Sequence, residues 1–259
     1  MLRLADVTKV YRAADGREVA AVVDLSLRVA EGQFVSIVGT SGCGKTTTLR
    51  LIAGLERPTR GAITLDGRPI EGPSRERTVV FQRYTLFPWR TVLDNVTFGL
   101  DVAGCRPRVE RVALARRYLA MVRLAGFEGA YPHELSGGMQ QRVAVARALA
   151  ANPRVLLMDE PFGALDAQTR ISLQGELLRI WEEERKTVLF VTHSIDEAVY
   201  LSDRVVVMGN TGGRAAAVVD IRLPRPREPH SELFRQYYAY IRSRLVGDGA
   251  RRTKGVAHA

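Results

Sequence analysis

Apolar residues recur along this chain at three different spacings, and each spacing predicts a different element. Leu2–Val10 alternates apolar and polar positions, and Val22–Val29 does so again, which reads as two strands with one buried face each. Asp15-Gly16 between them is a hairpin turn signal. Phe34–Val38 is a short apolar run ending at Gly39, the pattern of a strand buried on both faces in a parallel sheet. A helix is predicted over Lys45–Ala53, then strands over Ala62–Leu65 and Thr78–Phe81, with the Asp66-Gly67 turn and Pro73 between them.

From about residue 90 to residue 151 the strand signal gives way to helical spacing. Val92–Val102, Val109–Leu124 and Met139–Leu149 each carry it, interrupted at Gly104, Pro107, Gly126 and Pro132. Strand-type runs resume at Val155–Met158, Thr187–Val191 and Arg204–Met208, with helices predicted over Ala167–Glu184 and Ile195–Leu201. Strands alternating with helices argue for a parallel sheet with crossovers. Pro224, Pro226 and Pro229 end this pattern, and an amphipathic helix is predicted over Ser231–Leu245 with a frayed tail after it. The fold class expected is α/β, with a mixed sheet core, an antiparallel β portion at the start and a helical insert over about 90–151.

Composition adds limits. The chain has 259 residues, 46% of them hydrophobic, enough to bury the core of one large or two small domains. No internal repeat or low-complexity tract is present. No run approaches the roughly 18–20 apolar residues that cross a bilayer. The start, Met-Leu-Arg-Leu-Ala-Asp, lacks an apolar signal region, so no leader is expected and any membrane path would belong to other chains. Cys43 and Cys105 make neither a disulfide framework nor a metal-type spacing, which suits a reducing compartment. The formal charge of +10 raises the question of nucleic acid. However, residues 222–259 hold nine Arg and Lys against three Asp and Glu, so most of the excess sits in a tail rather than on a folded face. No nucleic-acid partner is expected; a basic tail of this kind is solvated or rests near anionic lipid.

Three motifs carry chemistry. Gly39-Thr40-Ser41-Gly42-Cys43-Gly44-Lys45-Thr46 lies between a predicted strand and a predicted helix, the setting of a P-loop. Its glycines let backbone N–H groups converge on phosphate oxygens, and the helix N-terminus adds partial positive charge. Lys45 has the reach for β- and γ-phosphates, and the Thr46 hydroxyl is a ligand for Mg²⁺. Val155–Met158 then delivers Asp159-Glu160 at the C-terminal end of a strand, where nucleotides bind in parallel sheets. Asp159 would hold Mg²⁺ through water, and Glu160 would polarise the attacking water. Leu135-Ser136-Gly137-Gly138-Met139-Gln140-Gln141-Arg142 is a second anion cradle, a serine at a helix start with two glycines that expose backbone N–H groups. Cys43, at a helix N-terminus, is expected to favour its thiolate, so that alkylation inhibits and ATP protects.

In this order and spacing the three motifs resemble those of the ATP-binding subunits of ABC transporters, over Leu2 to about Leu223. The resemblance implies a P-loop NTPase fold of the RecA-like kind, with residues 1–223 as the ATPase domain and 224–259 as a basic helix and tail. It implies ATP and Mg²⁺ as cofactors, and a head-to-tail dimer in which Ser136, Gly137 and Gly138 of one copy bind the γ-phosphate held at Lys45 of the other. It further implies that His193 contacts the γ-phosphate and that Gln82 senses Mg²⁺ and water beside the membrane-subunit contact. By the same resemblance Tyr11 stacks on adenine, Thr47 joins the nucleotide-binding set, and Asp166, at the end of Gly163-Ala164-Leu165-Asp166, couples the two sites. Met139 departs from the common glutamine.

Phe87-Pro88-Trp89-Arg90-Thr91-Val92-Leu93-Asp94-Asn95-Val96, Pro161–Ala167 and Leu223-Pro224-Arg225-Pro226-Arg227 are similar to the nitrate, sulfonate, taurine and bicarbonate importer branch. Tyr84 and Phe87 are nearer the sugar or polyamine importers. Implied partners are membrane permease subunits and, through them, a solute-binding protein, with the chain peripheral on the cytoplasmic face of the membrane. A soluble ATPase of the same family acting on nucleic acid, a nucleotide-binding module without turnover, and an exporter subunit are the competing readings.

Overall fold

The alternating N-terminal segments become strands whose inward faces fill a core. In the computed structural model, which describes residues 1–82, 85–103, 107–209 and 213–250, β1 (Leu2–Arg12) and β2 (Glu18–Val29) pair antiparallel around the Asp15-Gly16 turn. Leu2, Leu4 and Val7 of β1 and Leu25, Leu27 and Val29 of β2 are buried. Leu4 and Val7 are three apart, yet both point inward because the ladder shifts register between them, with Asp6 at a positive φ of 47°. The predicted features at Tyr84, Gly104 and Cys105, and the tail beyond residue 250, lie outside the described residues.

The chain divides into two units, Met1–Ser74 together with the chain from Thr187 onward, and Arg75–Lys186. In the first, β4 (Arg60–Leu65) pairs on the other edge of β1, and the two-residue β5 (Arg68–Pro69) completes the order β2-β1-β4-β5.

The same unit holds β3 (Phe34–Val38), parallel to β8 (Thr187–Thr192) on one side and to β9 (Arg204–Met208) on the other. Every residue of β3 and β8 is buried, which is why both read as unbroken apolar runs. Ser36, the polar exception in β3, shares a hydrogen bond with Ser202. β10 (Ala215–Asp220) adds antiparallel to β9 and was not predicted; it is an edge strand of alanines and valines with Val219 alone buried, too little alternation to register.

Helices α1 (Lys45–Ala53), α6 (Ile195–Leu201) and α7 (Glu232–Ala250) belong to this unit, and α7 packs on α6, β9 and β10 through Phe234 and Ile241. The Pro-Arg-Pro-Arg stretch before α7 is tightly bound. Arg225 pairs with Asp203 at 2.7 Å and donates to the Leu201 carbonyl at 2.6 Å. Arg227 donates to the carbonyls of Val199, Tyr200 and Ser202. The two guanidiniums thus satisfy the orphan carbonyls and negative dipole end of α6. Burial, with Arg225 alongside, lowers the Arg227 guanidinium to about 10.

In the second unit β6 (Arg77–Val80) runs parallel to β7 (Val155–Asp159). Helices α2 (Val92–Ala103), α3 (Arg108–Met121) and α4 (Gly137–Ala150) pack on one another, and α5 (Ala167–Glu184) buries Leu173, Leu177, Leu178, Ile180 and Trp181. A single 3-10 turn, Pro132–Glu134, leads into α4. From Val143 to Ala150 that helix is buried on almost every face, so it is apolar all round rather than striped.

Candidate nucleotide site

The P-loop geometry follows from its glycines. Gly44 caps α1 in the left-handed conformation (φ 99°), and a Cβ there would lie 2.1 Å from the Ala21 carbonyl oxygen. No side chain is compatible with that close approach. Gly39 ends β3 with the Cys43 Sγ 2.4 Å and the Met208 carbonyl 3.0 Å from where its Cβ would be. The Cys43 thiol therefore lies packed beneath the loop, buried, while Thr40, Ser41 and Gly42 are exposed. Lys45 is 5% exposed, and its ammonium donates to the carbonyls of Gly39 and Thr40 at 2.9 Å each. The loop thus encloses a cation at its centre and leaves Thr40, Ser41 and Gly42 exposed, an arrangement suited to a polyphosphate.

Two other predicted residues belong to this unit. Tyr11, half-buried near the end of β1, donates its hydroxyl to Glu56, and Lys9 Nζ lies 5.0 Å over its ring. Burial and the hydrogen bond to Glu56 raise the tyrosine pKa, with Thr47 pulling the other way. For Glu56 burial acts upward, but hydrogen bonds from Tyr11 and Lys9 and the charges of Lys9 and Arg50 outweigh it, so the carboxyl is held below 4.5. Glu56 was not singled out in the sequence: it stands forty-five positions from Tyr11, and no motif links the two. His193 is exposed directly after β8. Its position is set from below: the Ser194 hydroxyl caps α6 by accepting from Glu197 N at 3.3 Å, and buried Glu197 accepts from the Thr192 hydroxyl at 2.6 Å.

The second unit carries the carboxylates. Asp159 ends β7, 8% exposed, and Glu160 follows at φ 44°, a left-handed conformation that a non-glycine residue adopts at a cost of about 1–3 kcal/mol. The Glu160 carbonyl accepts from Gly163 N at 3.1 Å. A Cβ on Gly163 would meet the Gln82 side-chain amide at 3.6 Å and the Glu160 Cβ at 3.9 Å, so this turn brings Gln82 and Glu160 together. Asp166 caps α5, its Oδ1 accepting from Thr169 N at 2.9 Å, and the bonds from Thr169 hold its pKa below 3.8.

Ser136 caps α4 in an extended conformation, accepting from Met139 N at 3.3 Å, and no acidic residue occupies the first turn. Ser136 and Gly137 are exposed. A Cβ on Gly138 would lie 2.7 Å from Thr169 Cγ2, so the start of α4 touches the start of α5 and a side chain there would have to displace the Thr169 methyl. Gln140 fixes the turn before the helix, donating to the carbonyls of Pro132 and Leu135.

The Phe87–Val96 stretch has an organising residue that sequence reasoning passed over. Asn95 is fully buried, accepts from Phe87 N, and donates to the carbonyls of Phe87, Arg90 and Thr91, all at 2.9–3.1 Å. Phe87 packs on Phe98 with centroids 4.6 Å apart, and Arg147 bonds the Thr85 carbonyl at 3.0 Å with its guanidinium 5.5 Å from the Phe87 ring. Trp89 stands on this knot, 72% exposed.

A strand–loop–helix phosphate cradle, an aspartate and glutamate ending a parallel strand, and a second exposed helix N-terminus define a P-loop nucleotide hydrolase. Residues 22–163 match the family described as ABC transporter. An uncharacterized ABC transporter ATP-binding protein of Methanocaldococcus jannaschii, MJ0412, is 56% identical over 236 residues, covering 91% of this chain and 88% of that one. The nitrate import ATP-binding protein NrtD of Synechocystis is 43% identical over 265 residues, covering 99% of both. Among solved structures, the dimeric post-hydrolysis state of the ATP-binding cassette MJ0796 bound to ADP and Pi superposes with a TM-score of 0.77 at 36% identity, over 86% of this chain and 100% of that one. The chain belongs to the ABC transporter family, as an ATP-binding and ATP-hydrolysing subunit similar to the nitrate importer branch.

Proposed function

We propose that two copies of this chain pack head to tail and power uptake of a small solute through partner membrane subunits. ATP lies in the Gly39–Thr47 loop of one copy with Lys45 on its β- and γ-phosphates and Tyr11 against its base. Ser136, Gly137 and Gly138 of the other copy approach the γ-phosphate. The Thr46 hydroxyl and the Asp159 carboxylate are hard oxygen donors of the kind Mg²⁺ takes, and the ion would neutralise charge between the β- and γ-phosphates. Glu160 orients and polarises the attacking water, Gln82 beside it senses the occupied site, His193 contacts the γ-phosphate, and Asp166 couples the two sites.

The observation that carries this reading is the presence of two anion cradles of unequal make. One encloses a lysine, and the other offers an exposed serine and glycines with no charge of its own. Residues 1–223 form the ATPase domain, with the insert about 90–151 carrying the Trp89 knot toward a permease at the cytoplasmic face of the membrane. The similarity to a nitrate importer over 99% of both chains supports import of a small anion delivered by a solute-binding protein. Among the described residues no helix is long and apolar enough to cross a membrane.

Mixed dimers test the arrangement. A Lys45→Ala chain paired with a Ser136→Ala chain keeps one intact composite site and is expected to hydrolyse ATP. A wild-type chain paired with one bearing both changes keeps none and is expected to be inactive. The reverse result rejects the head-to-tail site.

A further inference from the structure

Side chains of the first unit converge on the Tyr11 ring from the far end of the P-loop helix. α1 closes at Gly54 in the left-handed conformation (φ 77°), and Leu55 N donates back to the Arg50 carbonyl at 3.0 Å. The turn that follows is pinned to β1. Thr59 N donates to the Thr8 carbonyl at 2.8 Å, and Val10 N donates to Thr59 Oγ1 at 3.0 Å. Glu56 is thereby held against the end of that strand. It accepts the Tyr11 hydroxyl and pairs with Lys9 Nζ at 3.4 Å and with Arg50 Nη1 at 3.6 Å. Lys9 Nζ also donates to the Arg57 carbonyl at 3.0 Å, and from that position it lies 5.0 Å over the Tyr11 ring.

The ring is therefore fixed at its hydroxyl end by a bond to a carboxylate, which is stronger than a bond between neutral groups. Burial and that bond push the tyrosine pKa above 10, while bonds from Tyr11 and Lys9 outweigh burial and hold Glu56 below 4.5. Donor and acceptor thus keep these forms at neutral pH. One face of the ring is taken: a base approaching from the Lys9 side would have to displace an ammonium bound by a carboxylate and a carbonyl. A mobile aromatic ring, by contrast, has to be ordered when a base stacks on it, and that ordering subtracts from affinity. We propose that Glu56 is a positioning residue for the nucleotide, holding Tyr11 as a preset platform with one usable face for the base. Thr47, two residues beyond Lys45, bonds the same hydroxyl, so the platform and the phosphate loop are tied to one helix. The inference rests on the ATP site proposed above, with Tyr11 as its base contact.

Titration calorimetry of the full chain with ATP and with inorganic tripolyphosphate, both without Mg²⁺, separates the base from the phosphates. Glu56→Ala is expected to weaken ATP binding about fivefold, the scale of ordering one side chain, and to leave tripolyphosphate bound no more weakly. Charge alone gives the opposite sign, because deleting a carboxylate favours any anion. Tyr11→Phe keeps the ring and drops the hydroxyl; it is expected to show the same loss, with Glu56→Ala adding nothing to it. Glu56→Gln retains an acceptor for the hydroxyl and is expected to recover most of the affinity. A Glu56→Ala chain with wild-type ATP affinity overturns the proposal. So does one that loses both ligands in equal proportion, which would mark a disturbed fold, and so does a full second loss when the two changes are combined. A wild-type chain that binds neither ligand refutes the ATP site itself. One that binds ATP no more tightly than tripolyphosphate keeps the phosphate cradle and overturns the platform.

Discussion

The helix starts at α1 and α4 are built on opposite plans. At α1 the cap is a glycine in the left-handed conformation, wedged against the Ala21 carbonyl, and the next residue is a buried lysine bonded to the loop it serves. At α4 the cap is an extended serine that bonds its own helix, the next residues are glycines, and the first turn carries no acidic side chain. The first cradle encloses its own full positive charge. The second offers dipoles only, worth a fraction of a charge and screened by solvent. A dipolar cradle gains most from an anion that something else already holds, so the pair together reads as a strong site and a closing surface.

The sharpest way to break this comparison is to remove the charge. Lys45→Ala is expected to weaken ATP binding at least about 100-fold, the loss of charge-assisted bonds worth some 3 kcal/mol, by titration calorimetry on the isolated chain. Ser136→Ala should leave that affinity within about twofold, and an equal loss in the two variants would erase the distinction. The next effect is on stability within the first cradle. Gly44→Ala places a Cβ 2.1 Å from the Ala21 oxygen, whereas Gly42, also at positive φ (79°), faces open space. Denaturant unfolding should show about 3 kcal/mol lost for Gly44→Ala and about 1 kcal/mol for Gly42→Ala.

Smaller again is the cap of the second cradle: Ser136→Ala should cost about 1 kcal/mol of stability in the same experiment. The smallest effect is a pH dependence at the neighbouring helix start. Asp166 has its carboxyl held below 3.8 by bonds from Thr169, so its contribution is present in full above the ordinary value and is lost as pH falls through the lowered one. Asp166→Asn caps the helix without titrating, and its unfolding curve should lose that part of the acid slope. An unchanged slope would show that the cap bond contributes nothing.

Much of the scaffold was legible because punctuation and periodicity agreed. β3 and β9 form where predicted, each an apolar run followed by a glycine, and α1, α5 and α6 form over about the stretches predicted, α1 between Gly44 and Gly54 and the other two behind a capping Asp or Ser. The strands β5 and β10 were not legible, since β5 is two exposed residues and β10 buries Val219 alone, too little burial to leave a pattern. The motifs named the candidate residues but not how each is held. Nothing local announces that Glu160 sits at positive φ, that Cys43 is buried beneath Gly39, or that the Tyr11 hydroxyl is bonded to Glu56. Asn95 stood inside a quoted motif, yet its four bonds to a preceding turn appear only once the chain is folded. Alcohols, amides and carboxylates choose partners by proximity, and proximity across forty or more residues leaves no trace in spacing.

The flanking of β3 by β8 and β9 has a consequence for how the protein is made. Both neighbours of the P-loop strand begin at or after Thr187, whereas Arg75–Lys186 is one continuous stretch. On the ribosome the middle of the chain is therefore made while the strand that ends in the phosphate loop waits, complete but without either of its neighbours. At roughly 5–20 residues per second, the interval between completing β3 and completing β9 is on the order of 10–30 s. Nucleotide can become a ligand of the nascent chain only at the end of that interval, so ATP is positioned to stabilise the last step of synthesis rather than the first.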